Sequence, residues 1–323
     1  MRFGFSDDQL AFRDAVRDLL AKAAGPDELR ATWDGPLGWD PQLWSQLAEM
    51  GVLGLLAPES AGGLGLTEID LVLILEELGR AAVPGPVVEH AAVAIPALTD
   101  TEWITAAAAG EIVVTAGRSA TMAYGANADL VLAIGEGGIG AVGRHDLTVL
   151  GTPTSVDRSR RFAEVTFERA TPLPGVDAAL CEARGAAATA AVLCGLAAHL
   201  IETTADYVKE RHQFGVPVGS FQAVKHHLAN ALIALGHARP AVYCAAWSIA
   251  TTQPTLERDA SFAKAYANEA AATAARVALQ CHGAIGYTFE HDLHLWLKRV
   301  WSLQRAWGDT AQHRDRVASV ILT

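Results

Sequence analysis

Lys209-Glu210-Arg211-His212-Gln213-Phe214-Gly215, with Ser220-Phe221-Gln222 shortly after it, is the stretch whose reading decides the fold. It joins two helical runs. Upstream, Gly185 to Ile201 is apolar and alanine-rich and continues into Glu202, Asp206 and Lys209, the pattern of a buried bundle helix and not of a membrane span. Downstream, Val224, Leu228, Leu232 and Leu235 repeat at helical spacing, Ser220 is placed to N-cap that helix, and Pro240 should kink or restart it. Alanines from Ala260 to Ala278 suit close helix–helix contact. A second distinctive stretch, Gln280-Cys281-His282-Gly283-Ala284-Ile285-Gly286-Tyr287-Thr288, follows that alanine-rich run, and a third, Trp307-Gly308-Asp309-Thr310, lies near the end.

Working towards the N-terminus, the texture changes twice. From Ile112 to about Phe167, short β-prone runs (Ile112-Val113-Val114, Leu130-Val131-Leu132, Phe162 to Phe167) alternate with turns such as Gly135-Glu136-Gly137-Gly138. This reads as a small, mostly antiparallel β unit, closed by Pro172-Leu173-Pro174, because proline extends neither a helix nor a central strand. Before it the chain is helical again. Ser6-Asp7-Asp8-Gln9 is a capping box leading to Phe12, Val16, Leu19 and Leu20 on one face. Helices are expected from Pro41 to Met50 and from Glu68 to Arg80, with Gly62-Gly63-Leu64-Gly65 looping between them. The expected organisation is a helical domain over 1–110, a reduced β domain over 111–175 and a helical bundle over 176–323.

Composition narrows the function. The chain has 323 residues, 51% of them hydrophobic, enough for a large core. A formal net charge of −11 with no basic stripe argues against nucleic acid as a partner. Met1-Arg2-Phe3-Gly4-Phe5 carries no apolar signal core, and the scattered Cys181, Cys194, Cys244 and Cys281 read as reduced thiols of a cytoplasmic protein. His291 and His294 follow Glu290, but the spacing is not that of a zinc-binding H-E-x-x-H helix, so no metal site is expected. His226 and His227 point to different faces, and Trp296, Trp301 and Trp307 read as packing residues.

Taken together, the motifs resemble the acyl-CoA dehydrogenase family along nearly the whole chain. Arg211-x-Gln213-Phe214-Gly215 with Phe221-Gln222 is similar to its R-x-Q-F-G…F-Q signature. Leu47-Ala48-Glu49-Met50-Gly51, Pro58-Glu59-Ser60-Ala61-Gly62-Gly63-Leu64-Gly65 and Glu76-Glu77-Leu78-Gly79-Arg80 are family phrases too. The resemblance implies a mainly α fold with a small middle β domain and a C-terminal four-helix bundle. It also implies FAD held between subunits, with Arg211, Gln213, Phe214, Phe221 and Gln222 donated to a neighbour's cofactor. A guanidinium is suited to pyrophosphate oxygens. Gln280, His282 and Gly283 would lie at the adenosine end, where a missing Cβ permits close approach, and Thr310 near the flavin. The family's T-E-P-x-A-G-S-D-like and W-I-T-N-like flavin-cradle segments have no counterpart after Glu111-Ile112-Val113-Val114-Thr115.

The family reaction, α,β-dehydrogenation of an acyl-CoA thioester, needs a carboxylate base against Cα. The usual Y-E-G-T motif reads here Trp307-Gly308-Asp309-Thr310, so Gly308 stands at the base position. The alternative position, before an arginine at the start of the first bundle helix, is Ala183, followed by Arg184. Asp309 and Glu182 are displaced candidates, the latter turned about 100° around its helix. A shortened chain without base or cradle resembles one subunit of actinobacterial α2β2 enzymes acting on steroid side-chain CoA esters. That reading implies a homologous partner carrying the glutamate, a shared FAD, an acyl-CoA substrate and an electron-transfer flavoprotein as acceptor, with no membrane role. Two readings stay open beside it: a self-sufficient flavoenzyme with a relocated base, and a non-catalytic scaffold of the same fold.

Overall fold

The computed structural model describes residues 4–118, 120–135 and 137–322. The Met1-Arg2-Phe3 start and Glu136 of the glycine turn lie outside them. Six helices come first: α1 (Asp7–Ala23), α2 (Pro26–Asp34), α3 (Pro41–Glu49), α4 (Glu68–Arg80), and the short α5 (Ile95–Ala97) and α6 (Ile104–Ala108), with a π-helical segment, Val88–Ala94, before α5. The capping box forms as read: Ser6 Oγ accepts from Gln9 N at 3.2 Å and Gln9 Oε1 accepts from Ser6 N at 2.8 Å. Proline opens α2 and α3, where its missing N–H leaves no intrahelical bond unmade. Helix α4 spans the expected residues, and its Leu71 to Leu78 are buried.

Seven strands follow: β1 (Val114–Gly117), β2 (Thr121–Ala123), β3 (Leu130–Gly135), β4 (Gly138–Gly143), β5 (Leu147–Gly151), β6 (Phe162–Phe167) and β7 (Thr171–Pro172). They make one sheet in the order β1-β3-β4-β7 and another in the order β2-β6-β5. All pairs are antiparallel except β1 with β3, which run parallel with Val114 opposite Leu130. Two details correct the sequence reading. Ile112 and Val113 precede the first strand, because the Val113 N–H is taken by the Asp129 carboxylate at 2.8 Å. Pro172 is itself in a strand, but at the sheet edge, where no ladder donor is lost.

The bundle is made of α7 (Ala178–Glu210), α8 (Gln222–Ala250), α9 (Leu256–His282), α10 (Leu293–Leu303) and α11 (Thr310–Ile321), with a small hairpin, β8 (His212–Gln213) and β9 (Val216–Pro217), between α7 and α8. Helix α7 is long and apolar enough to cross a membrane by composition, yet 89% of its most apolar window is buried inside the protein. It lies so close to α4 that a Cβ at Gly195 would meet the Glu76 carbonyl at 1.9 Å, and one at Gly79 the Val192 carbonyl at 2.1 Å. Alanines of α9 complete the contact, most of them under 2% exposed. Pro240 neither breaks nor restarts α8, which is continuous. Ser220 is not its N-cap: it ends a 3-10 turn, and Phe221 precedes the helix without a side-chain cap. Leu232 does not join the core either; it is 57% exposed, as is Ile233.

The junction between the N-terminal helices and the β unit hangs on one imidazole. His90, fully buried, donates from Nε2 to the Ala107 carbonyl (2.9 Å) and accepts at Nδ1 from the Val114 N–H (3.1 Å), which only a neutral ring does. Burial lowers its pKa from the ordinary 6.5 to about 4. The unfolded chain therefore takes up the proton first, so this contribution is full above about pH 6.5 and is lost as pH falls towards 4. Equilibrium unfolding between pH 7 and 4 is expected to lose up to about 1.4 kcal/mol per pH unit from this residue. His90→Gln should remove that share of the slope, and an unchanged slope in the variant would place the acid sensitivity elsewhere.

Candidate functional site

The two C-terminal signatures meet at one end of the bundle. Tyr207, one turn before Arg211, stacks its ring on His282 with centroids 4.2 Å apart and planes 19° apart. This pins the end of α7, and the hairpin after it, to the end of α9. Val218 N donates back to the Arg211 carbonyl at 2.7 Å, closing the hairpin. Its two tip residues, Phe214 (φ 54°) and Gly215 (φ 81°), are both left-handed, as a type I′ turn requires. For a phenylalanine this conformation costs on the order of 1 kcal/mol.

Phe214 is 93% exposed and touches Phe221 edge to face at 6.3 Å. Arg211, Gln213, Gln222, Gln280, Gly283 and Ala284 are all exposed beside it, and the Arg211 guanidinium makes no ion pair among the described residues. His282 differs from its neighbours. Its ring is buried, and Nδ1 donates to the Ala278 carbonyl at 2.8 Å. It braces this surface from behind. A free guanidinium, three amides and an exposed aromatic around a glycine-containing backbone fit a pyrophosphate with its nucleoside.

The other expected site residues lie far away. Ala183 is separated from Arg211 by roughly 42 Å of helix at the ordinary rise per residue. There, Gly308 has φ 106°, and a Cβ on it would meet His313 Nε2 at 2.7 Å. Trp307 (φ 57°) lays its ring on Gly185, where a Cβ would meet the indole at 2.3 Å. Both displaced carboxylates are engaged. Asp309 is the N-cap of α11, accepting from Gln312 N at 3.0 Å, and Glu182 is held between Arg118 (2.9 Å) and Arg316 (3.0 Å). The Thr310 hydroxyl accepts from Asn268 Nδ2 at 3.2 Å.

Sequence reasoning missed what fixes this region. Lys264, 0% exposed, donates to Asn268 Oδ1 (2.8 Å) and to the carbonyls of Gly308 (3.1 Å), Gln304 (3.3 Å) and Leu303 (3.4 Å). It thereby satisfies the orphan carbonyls where α10 ends, and burial draws its pKa down to about 7. A lone lysine in an alanine-rich helix, with an asparagine four residues on, was the available signal. Behind Trp307, the buried Glu89 pairs with Arg160 at 3.4 Å, and burial raises its pKa against the pull of that arginine. Cavities between α4 and α7 measure about 20 and 30 Å³, room for a water molecule, while one of about 230 Å³ lies against the start of α7, lined by Glu182, Ala183, Ser261 and Arg316, smaller than most ligand sites.

Comparison with known proteins settles the lineage. The model of the acyl-CoA dehydrogenase N-terminal domain matches residues 6–101 and that of the acyl-CoA dehydrogenase C-terminal domain matches residues 179–322. The chain belongs to the acyl-CoA dehydrogenase family. It is 32% identical to the acyl-CoA dehydrogenase IpdE2 of Mycolicibacterium smegmatis over 98% of this chain and 99% of that one. It is 34% identical to IpdE2 of Mycobacterium tuberculosis over 91% of each. Among solved structures, a chain of the Tcur3481-Tcur3483 steroid ACAD aligns with a TM-score of 0.90 at 25% identity, covering 98% of both chains. A chain of the ChsE4-ChsE5 complex from Mycobacterium tuberculosis does so with 0.90 at 22%, covering 100% of this chain and 99% of that one. The fold read from the sequence is therefore that of an FAD-dependent acyl-CoA dehydrogenase.

Family membership sharpens the meaning of Gly308. Restoring the acid alone, Gly308→Glu, forces a side chain into a left-handed backbone and against His313. The variant is expected to lose about 1–3 kcal/mol of stability in chemical denaturation and to gain no dehydrogenase activity with an acyl-CoA and an artificial electron acceptor. Activity in this single variant would mean that the cleft beside Trp307 opens more readily than its packing indicates.

Proposed function

We propose that this chain is the non-basic subunit of a heteromeric, flavin-dependent acyl-CoA dehydrogenase, and that it donates the pyrophosphate and adenosine half of the FAD site to a homologous partner carrying the catalytic glutamate. The observation that carries this reading is the hairpin tip: a strained, exposed Phe214 beside an unpaired Arg211, at the far end of α7 from Gly308 and Ala183. Residues roughly 42 Å apart along one helix do not serve one cofactor in one chain. Arg211, Gln213, Phe214 and Gln222 are thus set to act on a molecule held by another subunit.

Further support comes from α8. Its first half is largely exposed, with Leu232 and Ile233 presenting apolar surface on the helix that follows the hairpin, as a subunit contact would require. The engaged states of Asp309 and Glu182 speak against a relocated base, and the modest cavity of about 230 Å³ beside Ala183 against a bulky second acyl group. FAD supplies the hydride acceptor of the dehydrogenation. On this reading the chain's own residues hold the cofactor's diphosphate end through the Arg211 fork, cover it with Phe214 and Phe221, and pass the backbone of Gly283 close to the nucleoside. The partner's carboxylate takes the α proton. The likeness to a steroid ACAD supports a steroid-derived acyl-CoA as substrate, and an electron-transfer flavoprotein is the proposed acceptor.

Co-expression with a partner of the same family, comparing the native chain with Arg211→Ala, tests the assignment. The variant pair is expected to assemble normally by size-exclusion chromatography yet lose FAD and activity at least about tenfold, as removal of a charge-assisted diphosphate contact does. Arg211→Lys should recover only part, since an ammonium lacks the guanidinium's two-pronged geometry. Full FAD content in the Arg211→Ala pair would contradict the role given to this end of the bundle.

A further inference from the structure

Independently of the cofactor reading, the structure contains a cavity that none of the residues assigned above lines. It opens between the segment after α2 and residues 152–162, measures about 770 Å³, and is walled by Trp33, Asp34, Thr152, Thr154, Arg158, Arg160 and Arg161 among others. That volume lies in the range of small-molecule sites. Its charge is opposite to that of the chain. In a protein of net charge −11, three guanidiniums converge here against one carboxylate, Asp34, which sits 3.9 Å from Arg158 and is itself well exposed.

The three arginines are not equally committed. Arg160 lies at the back, paired with Glu89 and donating to the Ser302 carbonyl at 3.2 Å. Arg161 is fixed by two bonds from Nη2, to the carbonyls of Trp33 (2.7 Å) and Gly35 (2.6 Å), while its buried Nε has no hydrogen-bond partner. A buried N–H left unpaired is costly, and a group held rigid with one donor free is prepared for a ligand. Arg158 is 61% exposed at the side chain and has no ion pair closer than Asp34. The ammonium of Lys298 adds a fourth positive charge nearby, 5.1 Å from the Trp33 ring centroid. The Thr152 and Thr154 side chains are exposed and make no hydrogen bond among the described residues.

We propose that this cavity binds a phosphoryl-bearing small molecule, with Arg158, the free Nε of Arg161 and the Thr152 and Thr154 hydroxyls taking its oxygens. Donors arriving from separate points of one segment suit a tetrahedral group better than a flat carboxylate, which a single guanidinium fork satisfies. Converging positive charge in an acidic protein also concentrates anions at the mouth of the cavity.

Calorimetric titration of the full chain with inorganic pyrophosphate, at low ionic strength and without divalent metal, tests this directly. In the Arg211→Ala background, which removes the diphosphate contact proposed at the hairpin end, one saturable site per chain is expected. Arg158→Ala should weaken it by about tenfold or more, the size of one lost charged hydrogen bond, and Thr154→Val should weaken it measurably. Arg158 is exposed, so its variant is expected to keep the fold, with circular dichroism as the check. Because Arg158 and Thr154 are changed on that same background, the hairpin end of the bundle contributes nothing to the difference. Unsaturable heats, equal binding by Arg158→Ala, loss of binding in Arg211→Ala, or equal affinity for citrate would each overturn the proposal.

Discussion

An unbroken helix of 33 residues, Ala178–Glu210, sets the distance on which the rest of this molecule depends. Its small side chains let α4 and α9 close on it to backbone contact, which fixes the bundle. Its length then holds the Arg211 hairpin at one end and the Gly308 and Ala183 positions near the other. Because a helix of this kind is stiff and buried, no local rearrangement brings the two ends together. On the proposed reading the chemistry of the family is completed between subunits, and the surface fits it: apolar and polar groups stand exposed at the hairpin and along the first half of α8, while the indole of Trp307 packs on Gly185 towards the other end.

Closure around Trp307 is built from several independent pieces. The indole fills the space left by Gly185. Lys264 gathers the carbonyls at the end of α10. Asp309 is consumed by the cap of α11, and Glu89 by Arg160. Each of these removes a group or a volume that a catalytic cleft would need. A single substitution at the base position therefore addresses only one of them.

Much of this was legible in the sequence, for identifiable reasons. Capping boxes, proline starts and alanine-rich helical runs are local signals, and they placed α1, α3, α4, α7 and α9 where the structure has them. Motif order carried the family. Where local signals misled, a tertiary contact won: Ser220 looks like a cap but closes a 3-10 turn, Ile112 and Val113 look like strand but are drawn off by Asp129, and Leu232 has helical spacing yet no core to enter. The roles of Tyr207, Lys264 and His90 were not read from the sequence, since their importance lies in partners 75, 44 and 24 residues away, in His282, Gly308 and Val114; only Lys264, alone in an alanine-rich helix, left a signal. Their roles are set by what the fold brings to them.

The central claim is that this chain gives to a partner's flavin and holds none alone. The most direct measurement is FAD per protomer, by absorbance after release, for the chain purified by itself and for the chain purified with a family partner. The account predicts none on the isolated chain and one FAD per unlike pair. One FAD per protomer on the chain alone would contradict it.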